Sequence, residues 1–260
     1  MPHATCEGRS LYYEVDGNHE APTVAFVGEI GFGAWQWGWQ HAAIAGSYQS
    51  LVYDVRGIGS SDAPPGPYRL EGLVADLEAV LSDAGVRKAH LVGCGLGGMI
   101  SLSAAERSTR VESVAVVGTP PSGDGFDPEL LWAPPDDREA LRSSVLAAVS
   151  PGFAERQPDV VESIVEWRVQ EDADRRVWEA QRAAIEEFDV ADRLYELTLP
   201  TLVIHGELDE QCSPSRGRAL AEGLPRGVHE PVPDAGHLAH VEASRRVNDR
   251  LLEWLDDRRT

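Results

Sequence analysis

Lysine is almost absent from this sequence: Lys88 is the only one among 260 residues, and every other basic residue is an arginine. Acidic residues outnumber basic ones 43 to 23, which gives a formal net charge of −20. No basic stripe is available to neutralise phosphates, so we expect no nucleic-acid partner. This composition is typical of a halophilic protein, because molar salt shortens the screening length to about 3 Å and suppresses self-repulsion. The alternative is an ordinary acidic protein from a GC-rich genome.

Long apolar runs are also missing, and cysteines are few. No stretch approaches the roughly 18 apolar residues of a membrane-spanning helix, and the first residues lack the basic start and apolar core of a signal peptide. Cys6, Cys94 and Cys212 are odd in number and far apart, which fits neither a disulfide framework nor the usual zinc spacings. We therefore predict a cytoplasmic protein with reduced thiols and no membrane contact.

The sequence does contain short apolar runs, and these alternate with segments in which apolar residues recur at the spacing of a helix. Residues 4–15 read as a hairpin, and residues 22–28, 50–53, 111–117, 199–206 and 227–232 read as further strands. Between residues 118 and 197 the apolar residues recur only at the spacing of a helix, and prolines interrupt this pattern repeatedly. We interpret residues 119–197 as an inserted helical lid and residues 1–118 and 198–260 as one α/β core.

The most informative stretch runs from residue 89 to 101. An apolar run typical of a strand is followed there by several glycines and then by a helical pattern. Gly93, Gly97 and Gly98 allow the chain to reverse sharply and the helix to pack closely on the sheet. The segment Gly93-Cys-Gly-Leu-Gly-Gly98 resembles the nucleophile elbow of the α/β-hydrolase family, G-x-S-x-G-G. The family's nucleophilic serine corresponds to Gly95, which has no side chain to react.

Two further motifs extend the resemblance to the other members of a catalytic triad. The loop His205-Gly-Glu-Leu-Asp209 is similar to the family's G-x-x-D loop, and Ala235-Gly-His237 with Glu242 is similar to its A-G-H-x-x-x-x-E motif. The resemblance implies Asp209 as the acid and His237 as the base, in the family's chain order. It also implies an α/β-hydrolase fold with a mostly parallel eight-stranded sheet, helices on both faces, and no metal or other cofactor.

A second departure from the family pattern lies in the loop after the first core strand. This loop reads Val27-Gly-Glu29, where the family usually begins His-Gly and supplies a backbone N–H to the oxyanion hole. The resemblance places Gly28, Glu29 and Leu96 around that hole. A carboxylate there would repel an oxyanion, but if Glu29 points inward it forms a proton-transfer pair with His237. Cys94 is expected to project away from the apex.

Three functions stay open at this point. The first is non-covalent chemistry by the Asp209–His237 pair on a small apolar ester, lactone or related substrate: proton abstraction, elimination or attack by activated water. The second is a catalytically silent ligand-binding or interaction protein on the same scaffold. The third is a serine hydrolase whose apex serine has been replaced by glycine. In each case we expect a small-molecule ligand. We also expect an aromatic pocket between core and lid, lined by Trp35, Trp37, Trp132 and Trp167. The sequence predicts no particular oligomeric state.

Overall fold

The computed structural model describes residues 2–258, and a single eight-stranded sheet forms its centre. The strands are β1 (His3–Cys6), β2 (Arg9–Gly17), β3 (Thr23–Val27), β4 (Gln49–Tyr53), β5 (Ala89–Cys94), β6 (Val111–Val117), β7 (Thr201–Gly206) and β8 (Gly227–Val232). Their order is β1-β2-β4-β3-β5-β6-β7-β8. The hairpin β1–β2 and the β2–β4 pair are antiparallel, and the other pairs are parallel. This architecture confirms the predicted fold class.

The central strands are apolar at successive positions because helices cover both faces of the sheet. Every residue of β3, β4 and β5 is buried, as expected for parallel strands between two helical layers. The helices are α1 (Gly38–Ile44), α2 (Leu70–Asp83), α3 (Leu96–Arg107), α4 (Arg138–Ala148), α5 (Pro151–Arg156), α6 (Pro158–Glu171), α7 (Arg175–Glu187), α8 (Pro214–Gly223), α9 (Ala239–Glu242) and α10 (Ser244–Asp256). Helices α1 and α10 pack on one face, and α2, α3 and α8 pack on the other.

The chain between β6 and β7 is helical. It contains α4 to α7 and short 3-10 helices, and apart from two isolated bridges it has no strand among the described residues. Apolar residues of α4, α6 and α7 join the same core cluster as α2 and α3. This segment therefore packs on the core rather than standing apart from it. Among residues 2–258, no helix is long and apolar enough to cross a bilayer.

The loops that carry the motif residues all leave the same edge of the sheet. Glu29 follows β3, Gly95 follows β5, Asp209 follows β7 and His237 follows β8. These four strands run parallel, so their carboxyl ends lie side by side. In open α/β sheets this edge is where ligands bind.

Candidate active site

The turn between β5 and α3 depends on backbones that approach each other closely. Gly95 has a left-handed φ of +45°, which disfavours a side chain. A Cβ added to Gly93 would lie 2.3 Å from the Gly97 backbone, and one added to Gly97 would lie 2.1 Å from the Val27 carbonyl oxygen. The glycines thus bring the start of α3 against the end of β3, next to Glu29.

The side chain of Glu29 is fully buried and points into the site. Its Oε1 accepts hydrogen bonds from the backbone N–H groups of Ile30 (2.6 Å) and Leu96 (3.0 Å). Its Oε2 lies 2.8 Å from His237 Nε2. A Cβ added to Gly95 would lie only 1.6 Å from that same Oε2. The Glu29 carboxylate therefore occupies the space that a side chain at the apex would need.

His237 is held from its other ring nitrogen by Asp209. Nδ1 of His237 lies 2.9 Å from Asp209 Oδ2, and both side chains have no exposed surface. Asp209 Oδ1 accepts hydrogen bonds from the backbone N–H groups of Gln211 and Cys212, each at 2.9 Å. His205 adds a contact of 3.2 Å from its Nε2 to Asp209 Oδ2. The carboxylate of Asp209 is thereby fixed, and it in turn fixes the imidazole of His237.

The charges in this chain of contacts follow from burial and from the neighbouring ions. Burial by itself would lower the pKa of His237, but the carboxylate of Asp209 raises that pKa well above its ordinary value. Burial would likewise raise the pKa of Asp209, yet His237 and His205 hold it below its ordinary value. The direction of the shift in the pKa of His237 favours an imidazolium at this residue, beside the carboxyl groups of Glu29 and Asp209. It is equipped to give up a proton rather than to take one.

Cys94 is buried in the core, and its thiol also borders the site. Its Sγ lies 3.8 Å from Glu29 Oε2 and 4.0 Å from His237 Nε2. Burial raises the pKa of the thiol to about 12, so the group is an uncharged neighbour. Among the described residues, Glu29, Cys94 and His237 form the one group of side chains whose ligand atoms are close enough together to hold a metal ion. A tetrahedral zinc ion would need the oxygen and nitrogen about 3.3 Å apart, which would break the Glu29–His237 hydrogen bond.

The backbone donors around Glu29 differ in part from those the resemblance implies. Leu96 does supply an N–H to this position, but the second donor is Ile30 rather than Gly28 or Glu29. The N–H of Glu29 itself donates to Gln36 Oε1 at 3.1 Å. Which loop N–H faces the site depends on the loop's three-dimensional path, and no sequence pattern marks it.

The loop that carries Glu29 is tied to the helical segment 119–197. Gln181 of α7 accepts a hydrogen bond from the Gly31 N–H at 2.8 Å and donates one to the Arg56 carbonyl oxygen at 2.9 Å. The Ala173 N–H donates to the Gly31 carbonyl oxygen at 2.9 Å, and Asp172 accepts from the Gly33 N–H at 3.2 Å. A movement of α6 and α7 would therefore act on the loop. Sequence reasoning missed Gln36 and Gln181, since a buried glutamine carries no motif.

The four predicted pocket tryptophans do not share one pocket. Trp37 is buried against Phe26 and His240 on the face covered by α1 and α10. Together with Trp35 it borders a cavity of about 550 Å³ that residues 170–171 of α6 also line. Trp132 packs against Trp178, with ring centroids 6.4 Å apart, and the void between it and Ile30 is too small for a water molecule.

The remaining pair, Trp35 and Trp167, does meet across the core and the helical segment, with ring centroids 6.3 Å apart. The four rings do not form one pocket. With Glu29, Asp209 and His237 all fully buried, the site is closed to solvent in this conformation.

Several known proteins are similar to this chain over nearly its whole length. A solved enol-lactonase from Burkholderia xenovorans LB400 superposes with a TM-score of 0.86 at 28% identity, covering 98% of this chain and all of that one. The sequence is 26% identical to 3-oxoadipate enol-lactonase 2 of Acinetobacter baylyi over 94% of this chain and 92% of the relative. It is 30% identical to a putative carbamate hydrolase RutD of Azorhizobium caulinodans over 97% of both. The model of the alpha/beta hydrolase family matches residues 28–250, and the chain belongs to that family.

Proposed function

We propose that this protein hydrolyses a small lactone or ester without a covalent serine intermediate, using Glu29 and His237 as its base and acid. One observation carries the proposal: the 2.8 Å contact between Glu29 Oε2 and His237 Nε2, made where Gly95 leaves the apex without a side chain. The lactone class is suggested by the relatives, two of which are enol-lactonases by name.

The charge states divide the roles between the two residues. The raised pKa of His237 favours its protonated form, so we assign it as the general acid and assign Glu29, 2.8 Å away, as the base. Glu29 takes a proton from a water molecule whose oxygen bonds to the substrate carbonyl carbon. The carbon–oxygen bond to the leaving group then breaks, and His237 protonates the departing oxygen. Transfer of the proton from Glu29 to His237 restores the starting state.

The two N–H donors on Glu29 Oε1 explain how the carbonyl would be polarised. Ile30 and Leu96 hold Oε1 as they would hold a substrate oxygen. We propose that the substrate carbonyl displaces Oε1 from these donors while Oε2 stays at His237. Since the site is closed, entry also requires the helical segment 119–197 to move as a lid. The hydrogen bonds from this helical segment to Gly31 and Gly33 would make the Glu29 loop move together with the lid.

The test is a panel of γ-lactones, enol lactones and short esters offered to the unmodified protein and to two variants. We expect Glu29→Gln and His237→Gln to lower turnover by at least about a hundredfold, as loss of general acid or base catalysis does. Glu207→Gln is the matched control, because Glu207 is an exposed carboxyl on the Asp209 loop. Equal rates for Glu29→Gln and the unmodified protein would refute the role of Glu29.

A second candidate is a silent ligand-binding protein, and the fully buried site favours it. The two candidates differ in what His237→Ala does. If the protein is an enzyme, conversion stops while ligand affinity stays within about tenfold, the loss expected for one hydrogen bond. If it is a silent binder, every ligand found by thermal-shift screening is recovered unchanged from the unmodified protein after long incubation.

A further inference from the structure

An aromatic cleft opens on the surface where α1 and the helical segment meet. Its volume is about 520 Å³, and it is lined by Trp35, Trp39, Trp167, Glu171, Gly38 and Ala42. We call it the tryptophan cleft. None of the residues around His237 and Gly95 lines it, so it is separate from the candidate active site. Its size is within the range of small-molecule pockets.

The rings of the tryptophan cleft form a corner with Trp167 at its centre. Trp35 and Trp167 are inclined by only 25° at a centroid distance of 6.3 Å, and Trp39 meets Trp167 edge-on at 5.9 Å. Trp167 keeps 36% of its surface exposed, which is unusual for so large an apolar side chain. The corner thus presents aromatic surface to anything that enters from solvent.

Glu171 gives the tryptophan cleft a negative charge that has no basic partner. Its Oε2 accepts a hydrogen bond from the Trp35 N–H at 3.2 Å, and within residues 2–258 no arginine, lysine or histidine lies within 4 Å of the carboxylate. The neighbouring Asp172 does have such a partner, since Arg168 binds it at 2.5 Å. Asp54, Asp172 and Glu14 add further negative potential around Glu171.

Aromatic faces and an unpaired carboxylate together favour a weakly hydrated organic cation. The face of a tryptophan ring attracts a cation electrostatically, and the attraction is strongest where the cation loses little hydration. A neutral apolar ligand would use the rings but leave the half-buried carboxylate without a partner. We propose that the tryptophan cleft binds a small organic cation of the alkylammonium or quaternary ammonium class.

The experiment uses choline as the probe and its neutral isostere 3,3-dimethyl-1-butanol as the comparison, both followed by tryptophan fluorescence at constant potassium chloride. We expect saturable choline binding at least about tenfold tighter than that of the isostere. Glu171→Gln and Trp167→Leu should each weaken choline about tenfold. Glu166→Gln is the matched control, because Glu166 is an exposed carboxyl on the same helix, and it should change nothing.

Three results would overturn the proposal. Equal affinity for choline and the isostere would make the cleft merely apolar. An equal effect of Glu166→Gln and Glu171→Gln would make the attraction a general property of an acidic surface. Undiminished binding by both Trp167→Leu and Glu171→Gln would place the ligand elsewhere. Because Trp167→Leu could disturb packing, Trp167→Tyr serves as a second variant, and we expect it to retain binding since it keeps an aromatic face. None of these readouts depends on turnover.

Discussion

Glu29 and Gly95 are complementary, since the carboxylate of one fills the space left by the missing side chain of the other. A Cβ on Gly95 would come within 1.6 Å of Glu29 Oε2 and 2.3 Å of its carboxyl carbon. The two positions that the resemblance marks as unusual therefore meet at one place in the structure. Glycine at the apex makes room for the carboxylate, and the carboxylate takes the contacts to His237, Ile30 and Leu96.

This relationship predicts strong coupling between substitutions at the two positions. Gly95→Ser alone should lower the free energy of unfolding by at least about 2 kcal/mol, because the new side chain overlaps the carboxylate. In a Glu29→Ala background the same serine should cost at least about 1 kcal/mol less, because only the strain of the left-handed backbone at Gly95 then remains. A serine-directed phosphonate should label it. Urea denaturation of the unmodified protein, the two single variants and the double variant completes a double-mutant cycle, which measures the coupling free energy.

The control for that cycle is Gly46→Ser, where an added Cβ meets nothing within 4 Å. It should cost the same with and without Glu29. If Gly95→Ser also costs the same in both backgrounds, the two positions are independent and the complementarity described above is not an energetic fact.

The raised pKa of His237 predicts how stability depends on pH. Protonation of His237 stabilises the fold fully below the ordinary histidine value of about 6.5, and this contribution is lost as pH rises through the higher folded-state pKa. The stability difference between the unmodified protein and His237→Gln should therefore be largest near pH 6 and shrink at alkaline pH. Nitrogen-15 NMR should show both ring nitrogens of His237 protonated at pH 7.

His229 provides the comparison for this experiment, since burial lowers its pKa instead of raising it. The stability difference between the unmodified protein and His229→Gln should stay constant above pH 7. A His237 ring that is neutral at pH 7, with the stability difference unchanged to pH 10, would contradict the assignment of His237 as the acid.

The charge of −20 predicts dependence on salt. Molar potassium chloride shortens the screening length to about 3 Å and reduces the repulsion among surface carboxylates. The thermal unfolding temperature should rise between dilute buffer and molar potassium chloride. A temperature that stays flat or falls over that range would reject the halophilic interpretation.

The sequence allowed the fold and most of the site's participants to be predicted, for identifiable reasons. The buried strands β3, β4 and β5 are apolar at successive positions, and the glycines around Gly95 mark a turn that few other residues could form. Motif spacing also placed Asp209 and His237 in loops that the structure brings together. These signals are local, so a single sequence carries them.

What could not be predicted depends on contacts between distant parts of the chain. The direction of the Glu29 side chain is set by Leu96 and His237, which lie 67 and 208 residues away along the sequence. Gln181 reaches Gly31 across 150 residues. Three tryptophans at alternate positions also gave no sign that the ring of Trp37 would be buried against Phe26 and His240.

The most direct test of the proposed chemistry is a single turnover in water enriched in oxygen-18, with the protein in excess over whichever lactone or ester it converts. Water attack on the substrate predicts one heavy oxygen in the product of the first turnover, none in the peptide that contains Glu29, and no conversion by Glu29→Gln. Heavy oxygen in the carboxyl group of Glu29, with an unlabelled product, would show that Glu29 attacks the substrate covalently. That result, or a complete failure of the unmodified protein to convert any lactone or ester, would contradict the account.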